Sequence, residues 1–260
     1  GLFAKEIESE IIRETIDIGI HSMKDMPADE NDNLSIACWL ERHDHRDALL
    51  TNNSKKSFQD LTKNSLIGTS SIRRRSQIMN LRKDLKIKSL RGNVNTRIEK
   101  LNNNEFDAII LSVAGLKRLS LEHLISFIFS NDQVLPAACQ GAIGVQIKSS
   151  NTDLKNFLNP LNHSLTETIC KIERDVLRTI NANCNSPIGV FANQVDESIH
   201  LKCDIFDHFG KKIFSSHLIE SNSQSMSLGK EMGNDILVKL GQSTIDNLDN
   251  LKDDFDYTPN

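Results

Sequence analysis

Residues 66–75, LIGTSSIRRR, read as a short apolar run that ends at Gly68-Thr69 and gives way to a helix. Ser70 and Ser71 are both good N-cap types, because their hydroxyls accept from the unpaired amides of a first helical turn. Working outward, Leu85 to Leu90 reads as a strand and Val94 to Leu101 as a short helix. Asp107 to Val113 (DAIILSV) follows as a further strand. That run is nearly all apolar, as expected where both faces of a parallel sheet are covered. Strands alternating with helices indicate a doubly wound α/β architecture.

The pattern extends in both directions. Leu2, Phe3, Ile7, Ile11 and Ile12 recur at roughly helical spacing. Thr15 to His21 (TIDIGIH) alternates like a strand that stops at HSMKD. Leu34 to Leu40 is a second strand, and Ala48 to Leu50 begins another. Beyond Gly141, Ala142 to Ile147 reads as a strand. Ser164-Leu165-Thr166-Glu167 has the form of a capping box. Leu165, Ile169, Ile172, Val176 and Ile180 then keep helical spacing up to the polar loop NANCNSPIG. From Pro187 three β-like stretches (187–192, 199–206, 212–219) precede one helix around Leu228 to Leu240, a small α+β unit. The acidic tail from Asp246 to Asn260 reads as frayed.

A chain of 260 residues, 38% hydrophobic and 25% charged, can bury two or three cores and stay soluble. No apolar run approaches the length of a spanning helix. Five widely spread cysteines, with no Cys-x-x-Cys, do not form a disulfide framework and point to reduced, cytosolic thiols. Net charge is -4, yet Arg73 to Lys100 carries ten Lys/Arg against Asp84 and Glu99. This island of +8 leaves -12 on the rest of the chain and points to a local anionic ligand.

Four constellations could carry chemistry. In 21–27, HSMKDMP, a Lys and an Asp follow a strand end, where open α/β sheets bind ligands. The plainer reading is a turn capped by Asp25 and stopped by Pro27. In 68–75 three arginines enter a first helical turn, where cations oppose the helix dipole. Backbone amides there already favour an anion, and Arg grips carboxylates bidentately. Arg91 and Arg97 could converge on the same cleft; a solvated basic face is the competing reading. Nucleic acid is the obvious rival ligand, but no aromatic residue for base stacking lies between Arg73 and Lys100. Cys184 sits in a polar loop, whereas the other four cysteines adjoin apolar stretches. A loop thiol is available for covalent chemistry, or is an incidental surface cysteine. His43-Asp44-His45 could offer two imidazoles to a metal, but no further ligand is evident, and it reads as a hinge turn.

Seven segments in order resemble the porphobilinogen deaminase family: HSMKDMP (21–27), ERHDHRDAL (41–49), GTSSIRRR (68–75), SLRGNVNTR (89–97), FDAIILSVAGLKRL (106–119), LPAACQGAIG (135–144) and NCNSPIG (183–189). The resemblance implies two doubly wound lobes like those of type II periplasmic binding proteins, plus a small α+β C-terminal domain. Domain one would comprise 1–40 and 142–160, domain two 46–135, and domain three 164–260. Two crossovers, near Glu41–Arg46 and Leu135–Gly141, would join the lobes.

The resemblance further implies a cytoplasmic transferase that joins four porphobilinogen molecules head to tail, loses ammonia each time, and releases hydroxymethylbilane for tetrapyrrole and haem biosynthesis. Its dipyrromethane cofactor would be attached through a thioether to Cys184. Asp25 would match the catalytic aspartate, a buried carboxylate that offsets positive charge as ammonia leaves. Lys24, Arg73, Arg74, Arg91 and Arg97 would hold the cofactor, and Arg97 and Arg118 the substrate, through acetate and propionate groups. It implies a monomer acting on a small molecule, with neither nucleic acid nor membrane as partner and no metal.

The chain departs from the family at His45, commonly proline, and at Asn185 and Ser186, changes expected to be tolerated. The family also has a strand-helix unit and a basic loop upstream of the position of Gly1. A chain starting at Gly1 is expected to order domain one poorly, leave Ile16, Ile18 and Ile20 without neighbouring strands, and lack activity. A solute-binding protein of the same fold would need neither Cys184 nor Asp25. An RNA binder using the island would lose affinity steeply with salt.

Overall fold

The computed structural model describes residues 2–29, 31–52, 57–182 and 186–249. Cys184 and the tail 250–260 lie outside them. The chain begins with helix α1 (Leu2–Ile12), strand β1 (Gly19–Ser22), a 3-10 turn over Met23–Asp25, and strands β2 (Leu34–Trp39) and β3 (Asp47–Thr51). Then come β4 (Leu66–Gly68), α2 (Ile72–Leu81), β5 (Lys86–Lys88), α3 (Val94–Asn102), β6 (Ala108–Ser112), α4 (Val113–Arg118) and β7 (Phe127–Ile128). The last part holds β8 (Ile143–Lys148), α5 (Thr152–Leu158), α6 (Ser164–Thr179), β9 (Ile188–Val195), β10 (Ser198–Phe206), β11 (Lys212–Ser221), α7 (Leu228–Leu240) and α8 (Gln242–Asp249).

The strands form three sheets. The central one has order β5-β4-β6-β3-β7. β4 runs parallel to β5 and β6, while β3 is antiparallel to β6 and β7. A strand arriving from the first lobe is thus inserted against the grain of an otherwise parallel sheet. Alternate residues of β3 and β6 feed opposite cores. Leu49, Ala108 and Ile110 join Ile67, Ile78 and Phe129 on one face. Ala48, Leu50, Ile109 and Leu111 join Leu90 and Leu116 on the other. The apolar run of β6 is therefore buried on both faces, although one neighbour is antiparallel.

The first lobe's sheet, β1-β8-β2, is antiparallel throughout, with Gly144 of β8 opposite both His21 and Trp39. β1 is an edge strand, and Ile16, Ile18 and Ile20 are exposed, Ile20 by 67%. The α+β unit is an antiparallel meander, β11-β10-β9, whose core includes α6, α7 and α8. Met23, Met26, Trp39, Ala138 and Cys139 pack into that same core. The first lobe and the second crossover thereby share a core with the meander.

The first crossover is extended, the second ends in a turn over 138–141, and the two are pinned to one another. His43 N donates to Gly141 O at 3.0 Å. Gly141 has φ of 88°, and a Cβ there would stand 2.6 Å from His43 O. Only glycine satisfies both conditions.

Some local expectations shift. β1 starts at Gly19 rather than Thr15. The cap of α6 is His163, whose ring accepts from Thr166 N, so Ser164 is already helical and the capping box is not formed. Glu167 bonds instead to Lys171 and Asn162. The tail is helical as far as Asp249.

Candidate functional site

The site begins where β1 ends. Met23 is buried and anchors the 3-10 turn, which lifts Lys24 and Asp25 toward the mouth of a cleft. Asp25 is exposed, not buried, because the turn directs it away from the Met23 core. Lys24 is half-buried. Removal from water pushes its pKa down, Arg74 and Arg73 add to this, and Asp25 and Asp47 oppose it.

Three adjoining cavities of about 290, 330 and 270 Å³ share Lys24 and Asp25. Ser71, the cap of α2, lines two of them, and Asn93, the cap of α3, lines another. Both helices thus start at the cleft, where unpaired amides and dipoles favour anions. Arg97 joins the wall and donates from Nε to Gly92 O at 2.7 Å. Burial and Arg74 lower its pKa.

The arginines of α2 are internal rather than splayed into solvent. Arg74 donates to Asp47 Oδ1 from Nε at 3.0 Å and from Nη2 at 2.7 Å, and from Nη1 to Ile110 O at 3.2 Å. Arg73 Nη1 lies 2.8 Å from Asp47 Oδ2 and donates to Leu135 O at 2.6 Å. Burial alone would raise the Asp47 carboxyl, but Arg73 and Arg74 outweigh it and hold it well below the usual carboxylate range. Arg73 and Arg74 are tolerated side by side in this first turn because one buried carboxylate contacts both. Both still line the cleft. Arg91 and Arg118 are exposed and line none of these three cavities.

Cys184 lies outside the described residues, but its flanks do not. Asn181 and Ala182 before it, and Ser186 and Ile188 after it, line the same cavity as Lys24, Asp25 and Arg73. Cys38, Cys139, Cys170 and Cys203 are buried thiols. A covalent group anchored between these flanks would meet a wall carrying Lys24, Arg73, Arg174 and Arg178, a donor set that fits pyrroles bearing carboxylates.

Sequence reading missed the supports. Asp47 organises the arginines, and Gln140 Nε2 donates to Asp47 Oδ1 at 2.9 Å and to His45 O at 2.7 Å. Arg42 Nη1 bonds Glu173 Oε1 at 2.7 Å, joining the first crossover to α6. Arg174 donates to Pro27 O at 2.7 Å and Ala28 O at 3.1 Å, holding the segment after Asp25. His45 stacks on Phe191 with centroids 4.0 Å apart, and its pKa is pushed down to about 4, first by burial and then by Arg42. The one available signal was an acid beginning an apolar strand, in Asp47-Ala48-Leu49-Leu50.

Family models match two parts of the chain. "Porphobilinogen deaminase, dipyromethane cofactor binding domain" matches residues 1–156, and "Porphobilinogen deaminase, C-terminal domain" matches 168–238. The porphobilinogen deaminase of Chlorobium phaeovibrioides is 37% identical over 241 residues, covering 91% of this chain and 77% of that protein. That of Syntrophobacter fumaroxidans is 38% identical over 237 residues, covering 91% and 76%. Among solved structures, an arginine-specific periplasmic binding protein of Salmonella typhimurium has a TM-score of 0.36 at 17% identity, over 61% of this chain and 70% of that one. A TRAP solute-binding protein of Desulfovibrio salexigens has 0.40 at 13%, over 63% and 59%. Two family models and relatives above one-third identity together make the assignment: the chain belongs to the porphobilinogen deaminase family.

Proposed function

We propose that the cleft between β1, α2, α3 and α6 is the active site for the family's reaction, the condensation of four porphobilinogen molecules into hydroxymethylbilane with loss of ammonia. The observation that carries the proposal is that Lys24, Asp25 and Arg73 share one cavity with the residues on either side of Cys184. The dipyrromethane cofactor supplies the covalent primer from which the tetrapyrrole chain is built, and Cys184 is its attachment point. Lys24, Arg73, Arg74 and Arg97 bind its acetate and propionate groups, with Arg91 at the rim. Arg97 and Arg118 receive those of incoming porphobilinogen.

Asp25 is the catalytic residue. Its carboxylate stands at the cavity mouth among cations that bind the substrate's own carboxylates. A negative charge aimed at the departing ammonium stabilises the charge that develops there. Asp47 is a positioning residue, since it touches Arg73 and Arg74 but lines none of the three cavities.

The domain division proposed is 1–40 with 142–160, 46–135, and 164–260. The protein works as a cytoplasmic monomer on a small molecule, without nucleic acid. Among the described residues no helix is long and apolar enough to cross a membrane. The test is a porphobilinogen-consumption assay with ammonia and product measured together. The wild type should release ammonia and hydroxymethylbilane, and Cys184→Ser should release neither. Normal turnover by Cys184→Ser would overturn the proposal.

A further inference from the structure

The second crossover and α6 bring together two cysteines that the reaction does not use. The sulfurs of Cys139 and Cys170 and a carboxylate oxygen of Glu173 all lie within 4.8 Å of one another, and all three residues are buried. Cys139 Sγ donates to Cys170 O at 3.5 Å. Cys139 has φ of 59°, an uncommon region for a residue with a side chain, and the turn there directs its sulfur at α6.

Glu173 is not available to a metal. Its Oε1 accepts from Arg42 Nη1 and Ala192 N, each at 2.7 Å, and its Oε2 accepts from Cys139 N at 2.5 Å. A cation would have to displace those donors beside a guanidinium. What remains is a pair of thiols. The hydrogen bond with Cys139, together with burial, pushes the Cys170 thiol pKa well up, so it is protonated at rest. Cys139 lines the 290 Å³ cavity and Cys170 does not, so a small oxidant meets Cys139 first.

We propose that Cys139 and Cys170 form a reversible disulfide that fastens the second crossover to α6, with hydrogen peroxide as the oxidant. The Cys139 sulfur attacks one peroxide oxygen, the O–O bond breaks, and the products are Cys139 sulfenic acid and water. The Cys170 sulfur then attacks the Cys139 sulfur, the S–O bond breaks, and the hydroxide leaves with the Cys170 proton as a second water. Two thiols lose two electrons and two hydrogens, and one peroxide becomes two waters.

The consequence for activity rests on the reading of the cleft given above. Gln140, next to Cys139, holds His45 O and Asp47, and through Asp47 the arginines of α2. α6 leads at its far end to the loop of Cys184. A bond from Cys139 to Cys170 ties the wall that carries the arginines to the helix that carries the primer. A cleft that must admit four added rings then cannot widen, and later additions stall.

The test uses the cofactor-bearing full chain, treated with peroxide, alkylated and mapped by mass spectrometry, with turnover measured in parallel. The expected result is a loss of two hydrogens and one cross-linked peptide pair containing Cys139 and Cys170. Turnover should fall severalfold, because a blocked domain motion slows every step that waits on it, and should return with dithiothreitol. Cys170→Ala should turn over normally and keep its turnover at the same peroxide dose, with Cys170→Ser as the alternative should the alanine variant misfold. A cross-link between other cysteines, no cross-link, a cross-link without loss of turnover, or equal loss in Cys170→Ala would overturn the proposal. The mass readout does not depend on the reaction. A cross-link in a protein whose reduced form does not consume porphobilinogen would count against the functional reading alone.

Discussion

Arg74 Nη2 lies 2.7 Å from Asp47 Oδ1, with the Asp47 side chain at 0% exposure and the Arg74 side chain at 7%. This pair converts the first turn of α2 from a repelling cluster into a fixed wall of the cleft. Removing one member of a buried pair costs about 3–5 kcal/mol, because the other charge is left unpaired. Asp47→Asn should therefore lower stability by about that amount in urea unfolding. The Asp47 pKa is depressed in the folded state, so its contribution is present above the unfolded value near 3.9 and is lost as pH falls below it. Wild type should lose this stability below about pH 4, and Asp47→Asn should show a shallower loss over the same range.

Asp25 is exposed, so its substitution should separate chemistry from stability. Asp25→Asn should unfold within about 0.5 kcal/mol of wild type yet lose about a hundredfold or more in turnover. Asp25→Glu keeps the charge but misplaces it and should be less damaging. Near-normal turnover in Asp25→Asn would reduce Asp25 to a turn residue.

The basic island should divide by burial. Arg73→Leu and Arg74→Leu should lower stability as well as cofactor assembly, since both pair with Asp47. Arg97→Leu, at the cavity wall, should leave stability near normal and stall elongation. Arg91→Leu and Arg118→Leu, both exposed, should leave unfolding unchanged. Native gels of reaction intermediates together with urea unfolding distinguish these patterns. Uniform, small, salt-sensitive effects at all five positions would indicate a solvated basic face instead.

Lys24 predicts an alkaline effect. Burial, with Arg74 next, lowers its pKa, so it loses its charge at a lower pH than a free lysine would. Assembly of the dipyrromethane on the wild-type apoprotein should slow on the alkaline side below pH of about 10.4, where an ordinary lysine is still charged. In Lys24→Gln assembly should be slower throughout and lack this alkaline fall. Parallel profiles in both proteins would remove Lys24 from carboxylate binding.

The contrast between Asp47 and Asp25 shows what the sequence could and could not convey. The strands and helices from Leu66 to Ser112 are local patterns, and each was legible to within a few residues. RRR stood out because cations in a first helical turn oppose the dipole, and HSMKD because a Lys and an Asp follow a strand end. Their environments depend on long-range packing. Asp47 meets Arg73 only through sheet order, and Glu173 meets Arg42 only because α6 packs on a crossover. No periodicity records such pairings. The same holds for Cys139 and Cys170, whose spacing suggests neither a disulfide nor a metal site. The shift of the α6 cap from Ser164 to His163 is smaller in kind, since His163 Nδ1 accepts from Thr166 N at 3.3 Å where the hydroxyl of a capping box would.

The loop flanked by Ala182 and Ser186 is expected to hold a covalent dipyrromethane facing Asp25. Intact-mass measurement of freshly purified, active protein, followed by peptide mapping, tests it most directly. The chain should be heavier than its sequence by one dipyrromethane, with the added mass on the peptide containing Cys184. An unmodified Cys184 in active protein, or an adduct on Cys139 or Cys203, would contradict it.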